Sequence, residues 1–300
     1  MLEDVVRTTS YEDALKEVIR PTSHVLDFGT GTGVLAIFAA RAGAERVDAV
    51  DRSSFLKNAK RIAQDSGYPD IRFHHADHLT LQLDKKADIL VSEWMGHFLF
   101  YEAMMGPLIQ IRDNWLADAG VMIPASVSMH AALMIDESYH DERAFFLGNP
   151  YGIDFSSIAE FPLRQTRRVR IESHQVDKGR FHLGTLEMKT IKAQPEELRA
   201  RGFVHQATLA YGIVAWFDAQ LTEKLRFGTG PDDAPTHWDQ LFFPFPQPLA
   251  VFPDRELSIT IRTPSQAEGE DPTWAWGITD GEESLFVDEL ETFAAGRDVF

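Results

Sequence analysis

The spacing of apolar residues changes once along this chain, and each half predicts a different kind of structure. Up to about residue 120, short apolar runs alternate with segments whose apolar residues recur at helical spacing. The strand-like runs are HVLDF, RVDAVD, IRFHH and ADILVS, and the helical segments are SYEDALKEVI, VLAIFAARAG and SSFLKNAKRIAQDSG. Strands that alternate with helices predict a parallel sheet covered by helices on both faces.

Local signals predict where these helices begin and end. Ser10, with Asp13 three residues later, is expected to cap the first helix, and the serine pair before FLKNAKRIAQDSG to cap the third. Gly43 follows the last apolar residues of the second helix and is expected to close it.

Beyond Pro124 the period of the pattern shortens to two residues. Segments such as FHLGTLEMKTI, ATLAYGIVAWFDAQL and ELSITIRT are separated by Gly, Pro and Asp clusters. They predict mostly antiparallel β-structure, with one helical interruption at about 136–150. A chain of 300 residues is long enough for one large domain or two moderate ones, and it contains no internal repeat or low-complexity segment.

The charge balance narrows the class of partner. Lys and Arg total 29 against 46 Asp and Glu, a net charge of −17, which opposes direct binding to nucleic acid and to anionic membranes. A cationic substrate would be attracted. Acidity also keeps a protein soluble, and composition alone does not choose between these explanations.

The absence of cysteine removes several kinds of chemistry. Disulfides, thiolate nucleophiles and Cys-ligated zinc are excluded. The segment HHADH holds His74, His75 and His78, but neighbouring strand residues point to opposite faces, so we predict no metal site. The acidic start and the lack of about 18 consecutive apolar residues predict a soluble, cytoplasmic protein without a membrane span.

A glycine-rich turn is the first candidate binding element. VLDFGTGTG places Gly29, Gly31 and Gly33 between a predicted strand and a predicted helix, where backbone can approach a ligand closely. Val34 stands where the dinucleotide fingerprint has another glycine, which disfavours a nicotinamide cofactor. A tight turn without any ligand is the alternative interpretation.

Asp51 strengthens the case for a nucleoside. It ends the second predicted strand, 24 residues after Asp27, where a carboxylate can accept both ribose hydroxyls. S-adenosylmethionine (SAM) lacks a pyrophosphate and has an amino-acid end, which needs a cation and an acceptor. Arg7 could supply the cation and Asp27 or a loop carbonyl the acceptor, although an arginine considered alone is more often a solvated surface residue.

Two carboxylates flank an apolar and aromatic segment, SEWMGHFLFYEAMM. Glu93 and Glu102 are nine residues apart, which places them on opposite sides of a continuous helix or strand. If they act together, the chain must fold back between them, and Gly96 is the residue that permits it. The alternative is that the two acids are unrelated.

These motifs resemble the protein arginine methyltransferases. VLDFGTGTG, VDAVD, SEWMGHFLFYEAMM, NPYGIDFSSI and THWDQ occur in that family's order, together with the MLEDVVRT opening, and the match covers residues 1 to about 240. The resemblance implies an α/β protein with a Rossmann-like SAM-binding domain at 1–123. It further implies a mostly antiparallel, β-barrel-like substrate domain at 124–300. A helical dimerisation arm is expected at about 136–165, with a homodimer as its product.

The resemblance also implies roles for residues of the cofactor site. Arg7 corresponds to the contact with the cofactor carboxylate, Gly29 lies in the glycine loop, and Asp51 corresponds to the ribose acid. Asp77 and His78 fall where the family contacts adenine, and Met104 where a methionine packs on that ring. Pro124 lies at the domain junction, where an X-Pro peptide bond can be cis.

A bound arginine explains why two acids flank that segment. A guanidinium is a planar cation with five donors, which Glu93 and Glu102 can hold by bidentate hydrogen bonds. Two close carboxylates repel each other, so the cation is expected to keep both ionised. In this interpretation Trp238 walls the arginine pocket, and His237 pairs with an acid such as Asp4 or takes up the departing proton. A capped turn with a core tryptophan is the alternative for His237 and Trp238.

Two further hypotheses differ in the class of function. The enzyme could methylate a guanidine or amine of a small metabolite rather than a protein or peptide. The family has a lid helix before the MLEDVVRT position, and this chain begins inside that region, so the lid is expected to be absent or made differently. A catalytically silent, dimeric interaction module is therefore the other alternative.

Overall fold

The computed structural model describes residues 1–139, 141–264 and 273–289. Its first half alternates helices and strands, as the sequence predicts. The helices are α1 Val5–Val18, α2 Val34–Arg41, α3 Leu56–Asp65 and α4 Met105–Trp115, and the strands are β1 His24–Phe28, β2 Arg46–Asp51, β3 Arg72–His75, β4 Ala87–Val91 and β5 Leu116–Ile123. All strand pairs are parallel, in the order β3-β2-β1-β4-β5. The order reverses between β1 and β4, and a crevice for ligands forms at the carboxyl ends of the strands at such a reversal.

Two helix starts differ from the sequence-based expectation. The first helix begins at Val5, and its N-cap is Asp4, whose side chain accepts a hydrogen bond from the backbone N–H of Arg7. The prediction that Ser10 caps this helix is therefore wrong. The third helix begins at Leu56 without a side-chain cap, so the predicted serine cap is absent there too. Gly43, with φ +90°, does follow the second helix.

The second half is antiparallel β-structure, as predicted. Its strands are β6 Ser126–Met134, β7 Arg167–Val169, β8 Phe181–Glu187, β9 Glu197–Gly202, β10 Thr208–Gln220, β11 Arg226–Gly228, β12 Gln240–Val251, β13 Leu257–Arg262, β14 Ala275–Thr279 and β15 Ser284–Asp288. One sheet has the order β7-β12-β10-β6-β8 with β11 beside β10, and the other has the order β15-β14-β13-β9. The peptide bond between Ile123 and Pro124, where β5 leads into β6, is cis.

The predicted barrel is not closed. The described strands of this half form two separate sheets rather than one continuous ring. One physical reason for the open arrangement lies in β12. Its residues Pro244, Pro246 and Pro248 have no backbone N–H to donate, so this part of the strand can form few hydrogen bonds with a further strand.

The predicted arm at about 136–165 lies between β6 and β7. It contains the short helix α5 Glu142–Leu147 and several 3-10 turns. Large apolar side chains are exposed along it, namely Phe145, Leu147, Tyr151, Ile153, Ile158 and Phe161. Tyr151 is 90% exposed, so this segment presents apolar surface to solvent in the isolated chain.

The two halves share one apolar core. Buried residues of the parallel sheet and of both antiparallel sheets belong to a single cluster. Arg112 of α4 strengthens the junction, because its buried Nη1 donates to the carbonyl oxygens of Met188 and Ile191, each at 2.8 Å. Within the described part of the chain, no helix combines the length and the apolar character that crossing a membrane requires.

Candidate active site

The glycine turn follows β1 and folds over the end of β2. Gly29, Gly31 and Gly33 have φ values of +76°, +53° and +81°, which only glycine adopts without strain. The backbone N–H of Gly29 donates to the carbonyl of Val50 at 2.9 Å. A Cβ at Gly29 would lie 3.4 Å from Cε of Met104. Met104 therefore lies against the turn, although Glu102 and the apolar segment separate them in sequence.

Asp51 holds this turn at the tip of β2. Its Oδ2 accepts from the backbone N–H of Gly31 at 2.9 Å, and its Oδ1 accepts from that of Ser53 at 2.7 Å. A carboxylate oxygen can accept more than one hydrogen bond, so both oxygens keep capacity for the hydroxyls of a ribose.

Asp27 is fully buried beneath the turn. Its Oδ2 accepts from Thr30 Oγ1 at 2.5 Å and from the backbone N–H of Ala36 at 3.0 Å, whereas Oδ1 has no hydrogen-bond partner in the described residues. Burial raises the pKa of Asp27 to about 7, although the hydrogen bonds from Thr30 and Ala36 and the charge of Arg7 oppose the rise. An unpartnered buried acceptor here is suited to a ligand donor.

Asp27→Asn is expected to stabilise the protein above neutral pH. A carboxyl whose pKa is higher in the folded than in the unfolded state favours folding only while it is protonated, so that stability is lost as pH rises from about 4 to about 7. The variant should be more stable than wild type at pH 8 by on the order of 2 kcal/mol, with a smaller difference towards pH 4. Urea unfolding across this range measures it. A difference that stays constant with pH would contradict the assigned burial of the charge.

Arg7 is buried and paired with Glu93. The first turn of α1 carries it inward, and its Nε lies 3.2 Å from Glu93 Oε2, with both side chains almost inaccessible to solvent. The surface-arginine alternative is therefore wrong. Arg7 Nη1 is buried without a hydrogen-bond partner among the described groups. A second carboxylate, such as that of an amino-acid ligand, would satisfy it.

The chain folds back between the two acids. Glu93 follows β4, and its Oε1 accepts from the backbone N–H of Met95 at 3.2 Å. Gly96 has φ +28° and ψ −158°, and a Cβ at this position would lie 2.9 Å from Cγ of Glu102. Glu102 therefore packs over the glycine that lies three residues after Glu93. The chain folds back between the two acids at Gly96, as the sequence predicts. Burial, and then the negative charge of Glu93, raise the pKa of Glu102.

The loop between the acids is strained and anchored. Phe98, Leu99 and Ala103 adopt positive φ values of +53°, +69° and +53°, which non-glycine residues rarely do. The Phe98 ring lies 5.9 Å from the Trp274 ring and 6.3 Å from the Phe243 ring, both in the antiparallel half. Packing across the two halves therefore fixes the acid-bearing loop.

Asp4 links the start of α1 to the Thr-His-Trp segment. Its Oδ2 lies 2.7 Å from His237 Nδ1 and accepts from the backbone N–H of His237 at 2.8 Å. Burial opposes ionisation of Asp4, but hydrogen bonds from the backbone of Arg7 and from His237 outweigh it and lower the pKa of this carboxyl. The pairing of His237 with Asp4 that the sequence suggested is thus present.

Trp238 is buried rather than exposed at a pocket mouth. Its ring stacks on Phe227 with a centroid distance of 5.3 Å and meets Phe217 edge to face at 5.5 Å. It nevertheless lines a small cavity together with His97 and Arg168. Trp238 combines a core position with access to this cavity.

His97 is a site residue that the sequence reasoning missed. Its Nδ1 is buried without a hydrogen-bond partner in the part of the chain described, and burial, with the charges of Arg168 and His237, lowers the pKa of the ring. Its position between the two acids was the available signal, because a loop that brings the acids together also places its own side chains nearby.

Asp77 and His78 lie in the loop beside the end of β2. The backbone N–H of Ala76 donates to the carbonyl of Asp51 at 3.3 Å, which brings this loop next to the candidate ribose site. The Asp77 carboxylate accepts from Leu79 and Thr80 within its own loop. The adenine contact of Asp77 and His78 stays a prediction.

Comparison with known proteins identifies relatives over most of the chain. Residues 125–276 match the family described as "Arginine methyltransferase oligomerization subdomain", and residues 25–110 match "Methyltransferase domain". Protein arginine N-methyltransferase 1 of Saccharomyces cerevisiae is 34% identical over 276 residues, covering 87% of this chain and 77% of that protein. The protein of the same name from Schizosaccharomyces pombe is 34% identical over 284 residues, covering 90% and 82%.

Solved structures of proteins named as arginine methyltransferases are also similar to this chain. A chain of the Trypanosoma brucei PRMT1 enzyme-prozyme heterotetrameric complex with AdoHcy superimposes with a TM-score of 0.85 at 27% identity, covering 96% of both chains. Arabidopsis thaliana protein arginine methyltransferase 10 has a TM-score of 0.82 at 23% identity and supports the fold alone. The glycine turn, the folded-back acids and these similarities lead to one conclusion: the chain belongs to the protein arginine methyltransferase family.

Proposed function

We propose that this protein transfers methyl groups from SAM to the guanidinium nitrogens of arginine in proteins or peptides. The observation that carries the proposal is the folded-back loop that sets Glu102 over Gly96, where the negative charge of Glu93 contributes to the raised pKa of Glu102. This acid pair lies at the carboxyl end of β4, next to the glycine turn at the end of β1. A cation bound by the acids would therefore lie beside a ligand held by the turn.

Side chains in and around the glycine turn could bind each part of SAM. Among the described residues, the buried Nη1 of Arg7 has no hydrogen-bond partner and is free to bind the carboxylate, and Oδ1 of Asp27 has none and suits an ammonium or its water. Asp51 keeps acceptor capacity for the ribose hydroxyls, and Met104 lies against Gly29 where a ring could pack. When bound, SAM supplies an electrophilic methyl group on a sulfonium.

The acid pair suits an arginine side chain. In the protein alone, Glu102 bears a raised pKa, because it is partly buried close to Glu93. A guanidinium between the two side chains would favour the ionised form of Glu102, in the way that an opposite charge lowers the pKa of a carboxyl. Bidentate contacts would also stop the guanidinium from rotating, so that one terminal nitrogen keeps a fixed orientation towards the cofactor.

Methyl transfer then requires the loss of one proton. The guanidinium nitrogen forms a bond to the methyl carbon as the bond from that carbon to sulfur breaks, and the nitrogen releases a proton. His237, held by Asp4 at 2.7 Å, is the candidate group to receive it. Ionised Asp4 stabilises the positive charge that His237 would acquire.

Two measurements test this function in order. Calorimetry with SAM establishes whether the cofactor binds, and no heat at millimolar SAM would favour the silent interaction module. Transfer of a radiolabelled methyl group to an Arg/Gly-rich peptide then tests the reaction. Label on free arginine or other small guanidines, without label on peptide, would favour the small-molecule enzyme.

We also propose that the protein is a homodimer. The "oligomerization subdomain" match covers residues 125–276, and the exposed apolar side chains of the arm lie within it. Tyr151 is 90% exposed and Phe145 is 58% exposed, which is unfavourable unless another chain covers them.

A cytoplasmic location stays a prediction, which microscopy of the tagged protein would test.

Replacing Tyr151 and Phe145 by aspartate is expected to produce monomers. Two charges in an apolar interface lose the burial of both rings and leave carboxylates without partners, which costs several kcal/mol in total. Sedimentation velocity at micromolar concentration measures the change. Leu79→Asp, at an exposed apolar residue outside the arm, is the control and should leave the wild-type oligomer intact. Equal sedimentation of wild type and the double variant would exclude the arm as the interface.

A further inference from the structure

Two guanidiniums share one carboxylate beside the candidate active site. Asp239 follows Trp238 directly in the chain, and its Oδ1 accepts from Arg170 Nε at 2.8 Å. Its Oδ2 lies 3.5 Å from Arg168 Nε. Two positive side chains and one negative side chain leave a local excess of one positive charge, although the whole chain has a net charge of −17.

This excess charge belongs mainly to Arg168. Arg170 is well partnered, because it also donates to the carbonyl oxygen of Thr236 at 2.9 Å. Arg168 has a single ion pair among the described residues, at a distance longer than the usual range of about 2.7 to 3.2 Å for an N–H···O hydrogen bond. Its side chain is 50% exposed. Most of the N–H donors of this guanidinium are therefore available to another anion.

The cavity that Arg168 lines contains further donors. His97 and Trp238 line the same cavity, and within the described structure neither Nδ1 of His97 nor Nε1 of Trp238 has a hydrogen-bond partner. Burial, and then the charge of Arg168, lower the pKa of His97, so this guanidinium lies close enough to act on the ring. Asp239 is the acidic residue of the lining, and the two arginines already engage it. The cavity therefore suits a ligand that accepts hydrogen bonds.

A positive charge at this position is unexpected beside a pocket for arginine. His97 follows Gly96, over which Glu102 packs, so the cavity adjoins the acid-bearing loop. Like charges brought together weaken binding, and Arg168 would oppose an incoming guanidinium. Exposed ion pairs contribute little to stability, so the contact with Asp239 does not account for Arg168 either. A substrate that brings its own carboxylate would remove the repulsion.

We propose that Arg168 forms a carboxylate subsite beside the arginine pocket, so that the protein prefers target arginines with an aspartate or glutamate nearby in the peptide. The inference rests on the proposed function and specifies its substrate class. The Arg168 guanidinium pairs with the carboxylate of the flanking residue, while Arg170 keeps Asp239 in place. Because Arg168 is half exposed, the preference is expected to reach up to about fivefold, the size of a solvent-exposed ion pair.

Peptide binding measures this preference without any turnover. In a set of fluorescent peptides, each with one arginine and an amidated carboxyl terminus, a single Glu is moved through the positions that flank the arginine. Each peptide is compared with its Gln counterpart by anisotropy in the presence of S-adenosylhomocysteine. At least one Glu peptide should have a Kd about threefold to fivefold lower than its counterpart. Equal affinities at every position, or a preference seen only when the carboxyl terminus is free, would overturn the subsite.

Variants of Arg168 assign the effect to this side chain. Arg168→Gln should remove the preference, and Arg168→Glu should reverse it, so that a Lys peptide binds more tightly than the Gln peptide. A reversal cannot result from misfolding. Arg201→Gln is the matched control, because Arg201 is 75% exposed on β9 and pairs with Glu256 at 3.8 Å. It changes the net charge equally and should keep the preference. An unchanged preference in Arg168→Gln would overturn the proposal.

The radiolabelled-methyl assay on the same peptides separates the subsite from the reaction. A preference in binding without any methyl transfer would refute the proposed reaction and support the subsite. Methyl transfer with equal affinities for the Glu and Gln peptides would support the reaction and overturn the subsite. Absence of binding for every peptide would contradict both.

Discussion

Glu93→Gln is expected to lower kcat/KM for methylation of an Arg/Gly-rich peptide by about 10²- to 10³-fold, the range typical of removing one electrostatic contact from a catalytic site. The amide has nearly the shape of the carboxylate but no charge. It would offer N–H donors where the guanidinium needs acceptors, and it would leave the buried Arg7 without its anionic partner at 3.2 Å. The radiolabelled-methyl assay measures the loss, with SAM affinity determined separately by calorimetry.

A matched control separates this effect from a general loss of acidity. Glu223→Gln removes an exposed carboxylate between β10 and β11 and changes the net charge by the same amount as Glu93→Gln. It should leave kcat/KM within about twofold of wild type. Wild-type activity in the Glu93 variant would refute the role given to this acid. Loss of SAM binding with unchanged chemistry at saturating SAM would instead assign Glu93 to the placement of Arg7.

Gly96→Ala is expected to lower peptide methylation by on the order of 100-fold, because displacement of a catalytic group by about 1 Å has effects of this size. The new methyl group would lie 2.9 Å from Cγ of Glu102, and a residue with a side chain rarely adopts φ +28°. Glu102 must therefore move away from Glu93. Steady-state kinetics with peptide should show the loss in kcat/KM, while SAM binding, which depends on the separate glycine turn, stays close to wild type.

The chain provides a control of the same chemistry for this variant. Gly106, near the start of α4, has no positive φ, and no atom of the described residues lies within 4 Å of a Cβ placed on it. Gly106→Ala should therefore keep full activity and gain slight stability from a lower entropy of the unfolded chain. Equal activities of the two alanine variants would show that the position of Glu102 over Gly96 is not needed.

The sequence predicted most of the fold because its signals are local. The apolar runs at β1, β2 and β4 reflect burial on both faces of the sheet, and the period of two residues beyond Pro124 reflects burial of one face. The order of residues displays both patterns directly. The start of α1 was misplaced because Ser10 is a residue type that often caps helices. Asp4 caps the helix instead: it accepts hydrogen bonds from the backbone N–H of Arg7 and from that of His237, which is more than 230 residues away. A contact across that distance leaves no periodic trace.

The candidate site was predictable for a different reason. Two carboxylates in an apolar segment are costly unless they have a partner, so Glu93 and Glu102 required an explanation and a turn at Gly96. His97 was missed because a histidine in an apolar segment is common, and its place beside the acids becomes evident only when the loop between them is known to fold back. The barrel-like domain was implied by the resemblance alone, because alternating strands indicate antiparallel pairing but not whether the last strand meets the first.

The measurement that tests the central claim most directly is a crystal structure of the protein with S-adenosylhomocysteine and an arginine-containing peptide. We predict a guanidinium with carboxylate oxygens of both Glu93 and Glu102 within about 3 Å of its nitrogens, and one terminal nitrogen directed at the cofactor sulfur. A guanidinium bound away from this loop, or acid side chains that turn apart when the peptide is bound, would contradict the account.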